Sequence, residues 1–225
     1  MESISRCRQF CRSTVGSKFI VGITGVLLSG FVLLHLLENT LILVGAETYN
    51  KYTHMLGQNL LVLYTLETIL ASIFLVHITT AVKLYFDGRK ARPVAPRPAS
   101  GEKAATFAAR SMILTGLLVL VFLVWHLKSF RFGPHYDATY DGVVMRDLHK
   151  LVLEELSEGE ELAIYLVAFA VLWAHLSHGV SAVFQSLGLM SSRAKRLRAL
   201  ALGFSTVVCL GYSGVLLWVY MRGGQ

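Results

Sequence analysis

The sequence predicts an all-α membrane protein with five transmembrane helices, and three observations predict it. Of its 225 residues 54% are hydrophobic and 16% charged, where a soluble domain carries about 25% charged. The mean hydropathy is +0.57. Five stretches reach the roughly 20 apolar residues that a helix needs to cross a bilayer. Four prolines and 19 glycines exclude a disordered or collagen-like chain. The formal charge of +7 reads as the marking of cytoplasmic loops rather than as a nucleic-acid surface. Cys7, Cys11 and Cys209 are too few for a disulfide framework and read as free thiols facing a reducing cytosol.

Taken in order, the spans run over 19–44, 60–86, 107–127, 162–189 and 199–221. The first apolar run is too long for a cleavable signal peptide, and no small-residue cleavage site follows it. The prolines at 93, 96 and 98 mark the connection between the second and third spans as a loop. The connection from Lys128 to Glu161 carries eight acids, and within it Val144, Leu148, Leu151 and Val152 share one helical face. An amphipathic helix over 143–156 is expected there, lying on the outer surface or capping the bundle.

Lysine and arginine alternate in density between successive connections. Four precede or open the first span, seven lie around the second connection and four around the fourth, fifteen of the 21 in all. The positive-inside rule then places the N-terminus in the cytoplasm and the C-terminus outside, in a multi-pass protein of the cell (inner) membrane. Spans one, three and five run outward. Tyr64, Tyr85, Tyr165, Trp218 and Tyr220 fall near span ends, where amphipathic rings favour the interface.

Five of the eight histidines fall inside spans: His35, His77, His126, His175 and His178. An ionisable residue at membrane depth is costly and marks function by default. One such histidine could merely hydrogen-bond a neighbouring helix; one on each of four helices makes that reading much weaker. With the expected orientation, His35 and His126 lie in the outer half and His77 and His175 at or inside the middle. At about 1.5 Å per residue these form two levels roughly 10–15 Å apart. Two imidazoles on facing helices are the axial ligand set of a haem b. The fold class is therefore refined to four helices around two stacked haems b, with the histidine-free fifth span packed against them.

Two internal repeats support this pairing. Thr24-Gly25 precedes His35 by the same spacing as Thr115-Gly116 precedes His126. That spacing returns to one helix face, where a glycine lets a flat macrocycle approach the backbone. In the other pair, His77-Ile-Thr-Thr-Ala-Val parallels His175-Leu-Ser-His-Gly-Val. The small residue four positions on, Ala81 or Gly179, lies on the ligand's face. This alignment selects His175 over His178, which is left to bond a haem propionate or a backbone carbonyl. No Cys-x-x-Cys-His, phosphate loop, nucleophile elbow or zinc-protease motif is present.

With Lys18, Thr24-Gly25, His35 and Asn39, Asn50 and His54, His77, Thr115-Gly116, His126, His175 and Gly179, and the stretch 181–188 with Gln185, the chain resembles the five-helix diheme cytochrome b subunit of succinate:quinone oxidoreductases, that is, succinate dehydrogenase and fumarate reductase. The resemblance implies that His35 and His126 ligate a distal haem b and His77 and His175 a proximal one. It implies a membrane anchor for a flavoprotein and an iron–sulfur subunit on the cytoplasmic face. Electrons would pass between the iron–sulfur subunit and a membrane quinone, with menaquinone expected, in the tricarboxylic acid cycle or anaerobic respiration. The dicarboxylate site would belong to another subunit, and nucleic acid has no part. Some fumarate reductases of the family carry a glutamate two residues before the fourth ligand; Trp173 stands there in this chain, which puts a proton path of that kind in doubt. The quinone is expected near the distal haem, with Glu38, Asn50, His54 and Glu67 as candidate partners and Glu67 favoured as the more buried acid. A diheme anchor of a hydrogenase or formate dehydrogenase shares the ligand chemistry, and a non-redox helical bundle remains the alternative from another class.

Overall fold

The computed structural model describes residues 9–10, 13–91, 102–186 and 194–223. Seven helices of eight residues or more follow in order: α1 Thr14–Thr40, α2 Ala46–Gly57, α3 Leu60–Lys90, α4 Glu102–His126, α5 Leu148–Glu155, α6 Gly159–Ser186 and α7 Ala194–Gly223. A 3-10 turn, Leu41–Leu43, extends α1, and a π-helical turn, Leu127–Arg131, extends α4. One antiparallel hairpin, β1 Asp137–Tyr140 and β2 Val143–Arg146, precedes α5.

Among the described residues, five helices are long and apolar enough to cross a membrane: Thr14–Leu43, Leu60–Lys90, Ser111–Arg131, Gly159–Phe184 and Lys195–Gly223. Their surfaces carry large exposed apolar side chains, among them Leu34, Leu61, Leu75, Val121, Val167 and Leu210. In water such a surface would be an aggregation hazard; in a bilayer it faces hydrocarbon, and the helix satisfies its own backbone polar groups. The expected spans differ from the helices mainly at their ends. The first helix begins five residues earlier, at Thr14, and the third continues through the π-turn to Arg131.

The chain packs as two units. The first takes in the chain to Gly30, Thr68–Gly116 and Ala174–Ser205; the second takes in Phe31–Glu67, Leu117–Trp173 and Thr206–Gln225. In the first, the buried side chains are few and small or polar: Ser17, Thr24, Ala201 and Ser205 alongside Leu176. Small and hydroxylated residues let membrane helices approach closely. The second has an aromatic and aliphatic core of Ile42, Tyr49, Val152, Leu156, Tyr165, Phe169, Leu216 and Val219.

The connection before α6 differs from the expected helix over 143–156. Its first four residues are β2, and the helix starts at Leu148. β-branched Val143 and Val144 pair with Tyr140 and Thr139. The two-residue Asp141-Gly142 turn has φ of 52° and 76°, the left-handed pair of a type I′ hairpin, which Asp-Gly supplies at low cost. Asp147 then caps α5 by accepting from the Lys150 N–H at 3.0 Å. Leu151 and Val152 are buried as the amphipathic pattern requires, but Val144 is exposed.

Candidate functional site: paired histidines

In the first unit His77 and His175 are held by one device used twice. Thr24 Oγ1 lies 3.0 Å from His77 Nδ1, and Thr115 Oγ1 lies 3.1 Å from His175 Nδ1. Each threonine hydroxyl also donates back along its own helix, Thr24 to Ile20 O at 2.8 Å and Thr115 to Ser111 O at 3.0 Å. A hydroxyl has one proton. With it given to the carbonyl, the oxygen can only accept from the ring, so Nδ1 carries the imidazole proton. The lone pair of each neutral ring is then on Nε2, the state in which a histidine binds a metal while its other nitrogen is anchored.

The glycine after each threonine is part of the same device. A Cβ on Gly25 would stand 3.3 Å from Cε1 of His77, and one on Gly116 would stand 3.2 Å from Cε1 of His175. The missing side chain lets the ring lie against the neighbouring helix backbone. Sequence periodicity associates each Thr-Gly pair with the histidine on its own helix. The structure instead seats each pair against a histidine 53 or 60 residues away, and the small residue four positions after His175 does something else: Gly179 faces Met112 at ordinary contact distance, 3.7 Å from its would-be Cβ.

His178 takes no part in that device. It is exposed, and its Nδ1 donates to Ala174 O at 2.8 Å within its own helix. Lys18 is also exposed; the lysine that reaches inward is Lys83, donating to the buried Ser17 hydroxyl at 2.7 Å.

The second unit brings His35 and His126 together, ring centres 5.8 Å apart and planes at 85°. Two imidazoles bound to opposite sides of one iron, with metal–nitrogen bonds of about 2 Å each, have ring centres roughly 6 Å apart. The separation thus suits an axial pair. Aromatic rings surround it: Phe31 stacks on His35 at 5.6 Å, and Phe122 and Phe130 lie 5.9 and 5.1 Å from His126. His126 Nδ1 is 3.2 Å from the Tyr165 hydroxyl.

His35 has polar partners on both nitrogens. Glu38 Oε2 is 3.5 Å from Nδ1, and Asn39 Nδ2 is 3.4 Å from Nε2. The Asn39 amide is oriented by donating to His35 O at 2.7 Å and by accepting from the Tyr49 hydroxyl. Burial first, then the charge of Glu38, pushes the Tyr49 phenol up to about 12, so it stays a donor at neutral pH. A carboxylate only accepts and an amide nitrogen only donates, so His35 also carries its proton on Nδ1.

The expected quinone partners fare unequally. Asn50 is fully buried and its amide is engaged at both ends, donating to Asp147 Oδ1 at 2.8 Å and accepting from the His149 N–H at 2.9 Å. It ties α2 to α5, and its full burial closes it to a ligand. His54 is half-buried in the last turn of α2. Glu67 is not the more buried acid: its side chain is 41% exposed against 36% for Glu38. It is gripped by Arg131, whose Nε and Nη2 donate to its two oxygens at 2.9 and 3.3 Å. The π-turn after His126 carries Arg131, which sequence spacing had left in a connection. Trp173 donates to Thr206 Oγ1 at 2.9 Å. Gln185 lies in a helix, its side chain outside the described residues, and Gly188 lies outside them altogether.

Among the described residues, no group of three or more His, Cys, Asp or Glu is placed to hold a bare metal ion. A macrocycle fills the equatorial positions of its iron, so the relevant protein unit is a pair. No family model matches the chain, and no curated protein or solved structure is significantly similar to it.

Proposed function

We propose that the chain is the membrane-anchor cytochrome b subunit of a succinate dehydrogenase or fumarate reductase complex. The observation that supports it most is the duplicated Thr-Gly seat, which gives His77 and His175 the same tautomer and leaves Nε2 of each ring as the nitrogen with the lone pair. Half-buried neutral histidines anchored through Nδ1 on separate membrane helices suit axial ligation. His35 and His126 form the second pair.

The donor set fits two haems b, which when bound would supply one-electron carriers. The residues of this chain do the rest. Thr24 and Thr115 hold the Nδ1 protons and orient the rings. Gly25 and Gly116 admit them to the helix surface. Phe31, Phe122 and Phe130 keep water from the His35–His126 pair. The dicarboxylate chemistry belongs to a flavoprotein, and an iron–sulfur subunit links the two on the cytoplasmic side, where most of the basic residues lie in this topology. Quinone binding falls to the Glu67–Arg131 pair and His54.

A dithionite-reduced minus oxidised spectrum of the purified chain tests the reading, with haem counted per polypeptide. Two low-spin, acid-acetone-extractable haems b are expected. The lack of a Soret band would leave a non-redox helical bundle. Co-purification then separates a dicarboxylate-oxidising partner from a hydrogenase or formate dehydrogenase.

A further inference from the structure

We propose that Glu38 acts through His35 as a positioning residue that lowers the reduction potential of the haem His35 ligates. The inference rests on the axial-pair reading above and adds to it a role for a carboxylate otherwise offered to quinone. The four ligating histidines are not backed alike. His77 and His175 give their Nδ1 protons to threonine hydroxyls. His126 faces a phenol. His35 alone faces a carboxylate, at 3.5 Å.

That distance is at the long edge of hydrogen-bond range, so the contact works mainly through charge. A negative charge beside Nδ1–H draws the proton away from the ring and makes the imidazole a stronger donor through Nε2. A more basic axial ligand stabilises oxidised over reduced iron, and second-shell contacts of this kind are one of the levers by which a protein sets a haem potential.

The local structure fixes the arrangement. Glu38 follows His35 by three residues on α1, so the two share a helix side. The Tyr52 hydroxyl donates to the other carboxylate oxygen at 3.3 Å and moderates its charge. The carboxylate is 36% exposed.

The test is a redox titration, with low-spin electron paramagnetic resonance, of membranes carrying the full chain as wild type, Glu38→Gln and Glu38→Asp. Glu38→Gln should keep both haems, raise the midpoint of one and leave the other in place, with the g-values of that same species shifted. Glu38→Asp should return the midpoint part of the way. Two haems with both midpoints unmoved, or both raised equally, would overturn the proposal. If Glu38→Gln loses a haem, Tyr52→Phe decides: it frees the second oxygen and should lower the same midpoint, and no change there overturns the proposal. A wild-type chain without haem would instead remove the functional reading beneath it, an outcome the wild-type spectrum reports before any variant is compared.

Discussion

Thr115 Oγ1 lies 3.1 Å from Nδ1 of His175, and the next residue, Gly116, leaves room for the same ring. The contact between Thr24 and His77 repeats it at 3.0 Å. Two copies of one arrangement, built from helices far apart in sequence, show that hydroxyl and glycine act as a single unit against an imidazole.

Replacing either threonine with valine keeps the volume and removes the acceptor. At Thr115 the half-buried His175 Nδ1–H then loses its hydroxyl partner, which costs about 1–3 kcal/mol; at Thr24 the Val21 carbonyl still accepts from His77. Thr115→Val should lower the thermal stability of the detergent-solubilised protein more than Thr24→Val, because His77 keeps the Val21 carbonyl as an acceptor. On the proposed reading Thr115→Val should also raise the midpoint of the haem that His77 and His175 share, since a ring that no longer donates through Nδ1 is a weaker ligand, and Thr24→Val should move the same midpoint less. Calorimetry and redox titration check both effects. A Thr24→Val change that moved one haem and a Thr115→Val change that moved the other would mean that His77 and His175 do not share an iron.

The choice between His175 and His178 follows from where their Nδ1 protons go. His175 donates across to another helix; His178 donates to its own backbone and is exposed. His175→Ala should therefore lose one haem and leave the His35–His126 pair loaded. His178→Ala should keep both. Haem per chain in the two purified variants is the measurement, and a His178→Ala protein missing one haem beside a fully loaded His175→Ala protein would reverse the assignment.

The five long helices were legible in the sequence because length and hydropathy alone decide whether a segment spans. One histidine on each of four helices was legible for the same reason. The partner of Thr24 was not. Periodicity reports which residues share a helix face, and His77 is on another helix. Arg131 was missed because a π-turn, which has no composition signal, carries it onto Glu67. The hairpin at 137–146 did have a signal, Asp-Gly between alternating residues, but Val143 and Val144 also fit an amphipathic helix, and only strand pairing decided between them.

Topology can be tested apart from any cofactor. Fifteen of the 21 lysines and arginines fall around alternate connections, so the N-terminus is expected in the cytoplasm. A phosphatase fused after Gln225 should be active and a cytoplasm-dependent fluorescent reporter there should be dark. The reverse pattern would exchange the sides of the two histidine pairs and move the docking face for soluble partners.

His149 supplies a pH dependence outside the membrane segments. It lies on α5 with its backbone N–H bound to the buried Asn50 amide, and its ring 6.4 Å from that of Tyr49. Burial lowers its pKa below 6.5, and the nearby Asp147 charge offsets only part of that. The unfolded chain therefore binds a proton here more readily than the folded one, and stability must rise with pH across the interval between the two values. The contribution of His149 is fully present above its unfolded pKa and is lost as pH falls through the folded one. Melting curves of wild type and His149→Gln, compared from about pH 8 down to about pH 5, should diverge in slope: the wild type loses stability below about pH 6.5 by more than the variant does. Parallel curves would mean that the folded cap leaves this imidazole as easy to charge as it is in water.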